Sequence, residues 1–367
     1  MNNSIIIKKL HYSIIIIIIL FVITVILSYL IINYNNTENN HDISILFLGD
    51  FMIGDRYSGS ISEPFIYIKS MFENNNEIVV NLETSVTDIE KISYPNKSYN
   101  YKINTSVIAE LNKNNVTMLN LANNHVLDFG LKGLNDTLFN LQKHNLSYFG
   151  AGNNETLARQ GIIRCYNDHT KIGYLGYFEY KQIYDYNYKF YAKENISGVA
   201  ELNVQNLKSD ITRMKEQTDI LIVTLHIGEN YKVEISDNHR NFTRLIIDLG
   251  ADAVICHSAH IVLPVEFYKG KPIFYSIGNF IFTTPGRFDE VDEIYHIGLG
   301  VKFVIKNNLI KEIKLIPFKT NNKITKYKPN FLDERESNLL LNKIIPSEIN
   351  SKIVGNSIVL DFQDINS

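Results

Sequence analysis

The chain has few of the residues that support several common kinds of protein chemistry. It contains only two cysteines, Cys165 and Cys256, and no tryptophan among its 367 residues. Two distant cysteines in unrelated contexts predict neither a disulfide framework nor a thiolate metal site, so we interpret both as thiols of the core. The net charge of −3 gives no reason to expect a nucleic acid or an anionic membrane surface as partner.

Two catalytic signatures are also missing. No Gly-x-x-x-x-Gly-Lys-Ser/Thr loop is present, so a P-loop nucleotide site is not supported. No Gly-x-Ser-x-Gly elbow is present, which argues against a serine hydrolase of that type. The remaining composition is that of a globular protein, with 45% hydrophobic and 20% charged residues.

A long apolar run near the N-terminus predicts a membrane anchor. Ile14–Ile32 contains no charged residue and would span about 28 Å as a helix, close to the hydrocarbon thickness of a bilayer. Lys8 and Lys9 precede it, which predicts that the N-terminus stays inside. The alternative is a cleaved signal peptide, but the run is long for one and lacks a small-x-small cleavage pattern. We therefore expect a single-pass protein of the cell membrane whose main domain is extracytoplasmic.

The rest of the chain alternates short apolar runs with helical patterns, which predicts an α/β domain. Candidate strands are Ile45–Leu48, Ile78–Leu82, Val116–Leu121, Ile172–Phe178, Ile220–Leu225, Ala253–Cys256 and Pro272–Ser276. Gly300–Ile305 and Leu309–Ile316 read as a hairpin, and a helix is expected at Glu334–Ile344. The predicted organisation is a cytoplasmic segment 1–13, an anchor 14–32, a linker 33–43, a main domain 44–285, and a C-terminal hairpin and helix 286–367 that continue it.

Polar side chains follow most of these apolar runs, at the point where each predicted strand ends. In open α/β sheets ligands bind outside the carboxyl ends of the strands, so these side chains predict a site at that edge. The central stretch is Asn120–Gly130, which places two amides, His125 and Asp128 between a strand and a helix. Burial of an unpaired polar group costs free energy, so this many polar side chains are not expected at the end of a purely structural core strand.

The residue types narrow the chemistry of this predicted site. Its oxygen and nitrogen donors are Asp50, Glu83, Asn124, His226 and His260. A mixed set without thiolates suits Mn, Fe or Zn better than Ca or an iron–sulfur centre. Such ions can orient water and neutralise a phosphoryl group, which points to a metal-dependent hydrolase.

The motifs that contain these residues resemble those of the CapA family of capsule, or poly-γ-glutamate, synthesis proteins. The matching stretches are Gly49–Arg56, Asn81-Leu82-Glu83, Leu121–Gly130, Gly150-Ala151-Gly152, His226–Tyr231, Gly250–Ile255 and Tyr275–Phe280. They occur in the family's order and cover about Ser44–Phe282. The resemblance implies a metallophosphatase-like four-layer α/β/β/α sandwich, here preceded by the transmembrane helix.

The resemblance also implies roles for individual residues. Asp50, Glu83 and Asn124 would bind metal, and His226 and His260 would complete the set. His125 would contact phosphate or act as general acid. Asp128 would orient His125, and Arg56 would clamp an anionic group.

Two positions depart from the pattern of calcineurin-like phosphoesterases. Their first motif is Asp-x-His, whereas this chain has Met52 where the histidine would stand. Their late motif ends in His-x-His, whereas this chain has His257-Ser258-Ala259-His260. A shift of one residue can turn a side chain away, so His257 is either a ligand or a core histidine. The number of metal ions that the site binds, whether two, one or none, remains open.

Three functions follow as alternatives. The first is a metal-dependent phosphoesterase-like hydrolase that acts in the synthesis of a cell-surface polymer. The second is a non-catalytic subunit that binds an anionic polymer or the membrane proteins of a synthesis and export complex. The third, amide hydrolysis of the polymer at the same site, has nothing in the sequence that selects it over phosphoester hydrolysis.

Overall fold

The computed structural model of the chain describes residues 14–29, 42–54, 57–167 and 169–361. The chain divides into two units, Met1–Asp42 and Ile43–Ser367. In the first unit, residues 14–29 form helix α1, whose side chains are exposed. Among the described residues, no helix meets the length and hydropathy needed to cross a membrane. The predicted run Ile14–Ile32 extends past these residues, since 30–32 lie outside the described part.

The second unit contains 21 strands and eight α-helices in its described residues. The strands are β1 (Ile43–Met52), β2 (Glu77–Leu82), β3 (Ser85–Val86), β4 (Lys102–Ile103), β5 (Met118–Asn120), β6 (Ser147–Phe149), β7 (Ala151–Gly152), β8 (Ile162–Tyr166), β9 (Thr170–Glu179), β10 (Gly198–Val199), β11 (Glu201–Leu202), β12 (Ile220–His226), β13 (Ala253–His257), β14 (Val265–Tyr268), β15 (Lys271–Phe274), β16 (Asn279–Phe282), β17 (Ile297–Lys306), β18 (Leu309–Lys319), β19 (Asn330–Phe331), β20 (Ser351–Val354) and β21 (Ser357–Asp361). The helices are α2 (Thr105–Lys113), α3 (Gly130–Lys143), α4 (Glu155–Arg159), α5 (Gln182–Tyr186), α6 (Val204–Lys215), α7 (Asp237–Asp248), α8 (Asn322–Thr325) and α9 (Glu334–Ile344), with 3₁₀ turns at Glu63–Phe72, Phe288–Glu290 and Glu293–Tyr295.

Most strands belong to two large sheets. The first has ten strands in the order β20-β21-β18-β17-β1-β2-β5-β6, with β16 beside β1 and β19 beside β18. The second has seven strands in the order β11-β9-β12-β13-β15-β14, with β8 beside β9. The C-terminal hairpin β17–β18 therefore extends the sheet that β1 begins, because β17 pairs antiparallel with Ile43–Phe47.

The two sheets pack face to face, with helices on their outer faces. Alternate residues of β1 point to opposite sides, as a strand requires. Ile45 and Phe47 join a buried cluster with Tyr174 and Ile222 of the second sheet. Leu46 and Leu48 instead pack in a cluster with side chains of α2 and α3, and a third cluster joins the second sheet to α6 and α7. The layer order is helix, sheet, sheet, helix, as expected.

Each of the nine predicted strands overlaps a strand of the structure, with ends that differ by up to four residues, whereas the other 12 described strands were not predicted. Helix α9 has the predicted bounds, and a capping box between Asp333 and Glu336 fixes its start. Strand β5 is shorter than the predicted Val116–Leu121, because the Val116 N–H bonds back to the Leu111 carbonyl at the end of α2. The interpretation of both cysteines as core thiols is wrong for Cys165, which is exposed, and correct for Cys256.

Candidate functional site

The first sheet brings two carboxylates to its carboxyl edge through a local irregularity of β1. The pairing of β1 with β2 shifts between Leu48 and Asp50, and Asp50 then pairs with Asn279 of β16. A Cβ on Gly49 would lie 1.9 Å from the Gly278 carbonyl oxygen, so this close backbone approach requires glycine. Glu83 directly follows β2. Both Asp50 and Glu83 are fully buried.

The second sheet faces these carboxylates with three histidines. His226 ends β12 and His257 ends β13, and the two are register partners in the sheet. His260 follows in a turn where both Ser258 (φ 104°) and His260 (φ 59°) have left-handed backbone conformations. Such strained residues persist only where the surroundings hold them, and they concentrate at functional sites.

These five residues form one cluster, which we call the carboxylate–imidazole centre. His260 Nδ1 lies 3.1 Å from Asp50 Oδ2 and 3.9 Å from Glu83 Oε2. His257 Nδ1 lies 3.6 Å from Asp50 Oδ1, and His226 Nε2 lies 3.7 Å from Glu83 Oε1. The structure thus brings His257 into the cluster in spite of its shifted position in the sequence.

Side-chain amides hold this centre from behind. Asn81 donates to Asp50 Oδ1 at 2.7 Å and accepts from Asn120 at 2.9 Å. Asn123 donates to the Leu82 carbonyl at 2.8 Å and accepts from the backbone N–H of His125 at 3.0 Å. Asn279 Oδ1 lies 2.9 Å from His260 Nδ1. Each amide therefore fixes a residue of the site or its backbone.

His125 belongs to a second group that adjoins the centre. Its Nδ1 lies 2.6 Å from Asp128 Oδ2, and its Nε2 lies 3.9 Å from Glu83 Oε1. Asp128 also accepts from the backbone N–H of Tyr101 at 2.7 Å and from Lys97 Nζ at 2.5 Å. Asp128 thus lies where the sequence predicted, next to the ring of His125. Lys97 was not predicted.

Two further predicted residues have different outcomes. Asn124 is half-buried, and its Oδ1 atom has no hydrogen-bond partner although solvent does not reach it. Arg56 lies outside the described residues, so its predicted contact with an anionic group stays a prediction.

The unpaired atoms of the site fit a cation. Among the described residues, nine buried side-chain nitrogen and oxygen atoms lack a hydrogen-bond partner. The five that belong to this region are Asp50 Oδ2, Glu83 Oε1, Glu83 Oε2, Asn124 Oδ1 and His257 Nδ1. Ligand atoms of Asp50, Glu83 and His260 all lie within 4.8 Å of one another. Oxygen and imidazole donors of this kind suit a divalent transition metal.

The buried charges lead to the same conclusion. Asp50, Glu83 and Asp128 are fully buried carboxylates, and Lys97 is the buried cation beside Asp128. Once Lys97 has balanced Asp128, the carboxyl groups of Asp50 and Glu83 remain, and they carry two negative charges when both are ionised. Buried charges require compensation, and one divalent cation would supply it.

The pKa values of these groups are shifted mainly by burial. Burial raises the pKa of Glu83 well above its ordinary value, and the nearby Asp50 raises it further. Burial would also raise the pKa of Asp50, but its contact with His260 and the charges of the three histidines hold it below its ordinary value. Burial lowers the pKa of His125 to about 4 despite Asp128, and that of His257 to about 4 despite Asp50. A neutral imidazole can bind a metal ion or accept a proton.

A cleft of about 770 Å³ opens above the centre. His125 and His260 line it, whereas Asp50 and Glu83 lie beneath them and do not. The side chains that complete the lining include Tyr101, Tyr231, Phe282, Tyr327 and Arg287. The Tyr101 ring packs on His125 with centroids 4.4 Å apart, and Tyr231 lies 5.6 Å from His260. The cleft is therefore lined by both aromatic and polar side chains above a polar floor.

Sequence reasoning missed part of this arrangement. Asn81 and Asn279 lie at or just after the ends of predicted strands, as the predicted ligands do, and this shared position was a usable signal for their contacts with Asp50 and His260. Lys97 lies in a polar loop between β3 and β4, and nothing in the local sequence distinguishes it from a solvated lysine.

Fold and site together define a two-sheet α/β protein with a carboxylate–imidazole centre at the strand ends. The chain belongs to the family described as bacterial capsule synthesis protein PGA_cap, which matches residues 44–284. This confirms the CapA resemblance.

Two named relatives agree with that assignment. The PGA biosynthesis protein CapA of Bacillus subtilis is 32% identical over 246 residues, which are 65% of this chain and 63% of that protein. The capsule biosynthesis protein CapA of Bacillus anthracis is 26% identical over 66% of this chain and 60% of its own length. The chain thus spans less than two thirds of these relatives. A solved structure, TT1561 of Thermus thermophilus, has a TM-score of 0.39 and 10% identity over 72% of this chain and 99% of its own.

Proposed function

We propose that this chain is a metal-dependent hydrolase of phosphoester type that takes part in the synthesis of capsule or poly-γ-glutamate at the cell surface. One observation carries the metal dependence, and the phosphoester type follows from what such ions do at phosphoryl groups. Unpaired carboxylate oxygens and histidines from both sheets converge beneath a cleft, in a group whose charge one divalent cation would balance. The part in polymer synthesis rests on the family and on what its relatives are named for.

The residues have separate tasks in this proposal. Asp50, Glu83 and His260 would hold a divalent ion of Mn, Fe or Zn, with His226, His257 and Asn124 as further ligands of one ion or two. When bound, the ion would supply Lewis acidity and charge neutralisation at a phosphoryl group. An ionised Asp128 can only accept, so His125 would carry its proton on Nδ1 and would use Nε2 as a proton acceptor toward the centre. The predicted role as general acid would require His125 first to take up a second proton.

The experiment is a metal and turnover assay on the full chain, purified in detergent. Elemental mass spectrometry should find a bound divalent metal, and a panel of phosphomonoesters and phosphodiesters should include a substrate. His125→Ala should keep the metal and lower kcat about 100-fold or more, the usual scale for a general acid or base.

His169→Ala is the matched control, because His169 is exposed and lies on the turn between β8 and β9. It should leave both metal content and turnover unchanged. A chain that binds no metal, or a His125→Ala variant as active as the parent, would contradict the proposal.

The open cleft, whose lining includes Arg287 beside aromatic rings, supports a second candidate function. A non-catalytic subunit could bind a polymer chain along Tyr101, Tyr231 and Tyr327, or bind the membrane proteins that make it. This candidate predicts retention of a polyglutamate probe without turnover of any phosphoester.

We also propose that the chain is anchored in the cell membrane by Ile14–Ile32, with the main domain outside the cytoplasm. The uncharged run and the preceding Lys8 and Lys9 support this placement.

A further inference from the structure

The strongest group outside the carboxylate–imidazole centre is a buried lysine. Lys97 is 7% exposed, and its ammonium lies 5.8 Å from the ring centre of Tyr184 and 5.7 Å from that of Phe190. A buried ammonium is costly unless it is paired and hydrogen-bonded. The burial of this lysine therefore has to be compensated by specific contacts of its ammonium group.

The ammonium group of Lys97 makes such contacts. Lys97 Nζ donates to Asp128 Oδ1 at 2.5 Å and to the Tyr99 carbonyl at 3.1 Å. The other oxygen of Asp128 lies 2.6 Å from His125 Nδ1 and accepts from the backbone N–H of Tyr101. Lys97 and His125 thus occupy different oxygens of one carboxylate.

This division fixes the tautomer of His125. An ionised carboxylate can only accept, so the short contact with Asp128 requires the proton to be on Nδ1. Lys97 Nζ is also 3.0 Å from His125 Nδ1. Both nitrogens are then donors and cannot bond to each other, so the Lys97 ammonium bonds to Asp128 instead. Nε2 is then unprotonated and faces Glu83 Oε1 at 3.9 Å.

We propose that Lys97 is a positioning residue for His125. By holding Oδ1 of Asp128, its ammonium commits Oδ2 to His125 Nδ1 and so directs Nε2 toward the carboxylate–imidazole centre. The backbone reinforces this arrangement, because the bond to Tyr99 and the Tyr101 N–H tie the 97–101 segment to the same carboxylate. The benefit to catalysis rests on the proposed function, whereas the effect on the His125 ring does not.

The test observes the ring directly. In the full chain with ¹⁵N-labelled histidine, the His125 signals are assigned by their loss in His125→Ala. The parent should show the Nδ1–H tautomer with a far-downfield proton signal, as expected for a short hydrogen bond. The Nε2–H tautomer in the parent would overturn the proposal without any variant.

Lys97→Met should remove or move that downfield signal while the bound metal is retained. On any phosphoester that the parent turns over, kcat should fall about 10- to 100-fold with little change in KM, the scale found for partners that orient site residues. Lys97→Arg keeps the positive charge and should retain most of the downfield His125 signal and most of kcat. If Lys97→Met does not fold, Lys97→Gln takes its place with the same expectation, because it also lacks the charge.

Tyr94→Phe is the matched control for loop packing. Tyr94 lies in the same loop, and its hydroxyl donates to the Tyr188 carbonyl at 2.6 Å. Its loss should leave the His125 signal in place. An unchanged His125 signal in Lys97→Met would show that Lys97 only packs the loop. A parent that turns over no phosphoester would contradict the proposed function, and the spectra would still decide the role of Lys97.

Discussion

Among the described residues, Glu83 is the one buried residue with two side-chain atoms that lack a hydrogen-bond partner. Its side chain is fully buried and neither carboxylate oxygen has a hydrogen-bond partner. Burial and the neighbouring Asp50 raise its pKa well above the ordinary value. A carboxyl group whose pKa is raised on folding makes stability fall as the pH rises from the ordinary value of 4.5 toward the folded value. The metal-free protein is thus destabilised at neutral pH by a residue that a cation would satisfy.

Glu83→Gln should therefore change stability in opposite directions with and without metal. Without metal, the variant should have a higher free energy of unfolding than the parent, on the order of 1–3 kcal/mol, because an unpaired buried charge is removed. With saturating Mn or Zn, the parent should gain stability and the variant should gain much less. Urea unfolding followed by circular dichroism, with EDTA or metal, measures both.

Glu266→Gln is the control with the opposite sign. Glu266 accepts from Arg244 at 2.6 Å and from the Tyr275 hydroxyl, so its charge is paired. Its neutralisation should lower stability, with or without metal. A metal-free Glu83→Gln variant that is less stable than the parent would contradict our account of the orphaned carboxylate.

At the scale of elements, helix α7 contains a buried histidine that can report on pH. Ser236 caps the helix by accepting from the His239 N–H at 3.2 Å, and the His239 ring packs edge-on against Tyr275. Its Nε2 has no partner. Burial, with a smaller contribution from Arg240, lowers the pKa of His239 from 6.5 to about 4.

The lowered pKa of His239 predicts that the free energy of unfolding falls at acid pH because of this residue in α7. Between pH 6.5 and about 4 the unfolded chain binds a proton at this residue and the folded chain does not, so stability falls as the pH falls. The full window corresponds to about 3 kcal/mol. His239→Phe, which keeps a ring against Tyr275, should remove that share of the acid-induced loss, measured by urea unfolding at a series of pH values.

The other buried histidines contribute equally to parent and variant, so the difference between the two curves isolates His239. The comparison is His169→Phe, which makes the same substitution at an exposed histidine and so controls for the general effect of the exchange. Parallel pH curves for the parent and His239→Phe would refute the prediction.

For the whole molecule, the sequence determined which segments form strands more clearly than how they pair. Continuous apolar runs such as Ile220–Leu225 are typical of strands buried on both faces, and they were predicted within a few residues. The pairing of β17 with β1 joins residues about 250 positions apart, which no local pattern encodes. The carboxylates and histidines of the site were predicted because they end strands. Lys97 was not, because its burial depends on how the loop before β4 crosses the site.

The last prediction concerns the anchor, which belongs to the chain as a whole. If Ile14–Ile32 spans the bilayer, the full chain should sediment with membranes and remain there after a high-salt wash. Salt screens electrostatic adsorption, and a net charge of −3 gives little attraction to anionic lipid in any case. A variant that lacks residues 1–32 should be soluble, since Ile43–Ser367 forms a compact unit.

Ile23→Arg should weaken insertion by about 3 kcal/mol, whereas Thr24→Ser at the neighbouring position should not. Recovery of a shortened chain by intact-mass spectrometry would instead identify a cleaved signal peptide, and a full chain released by salt would exclude a spanning anchor.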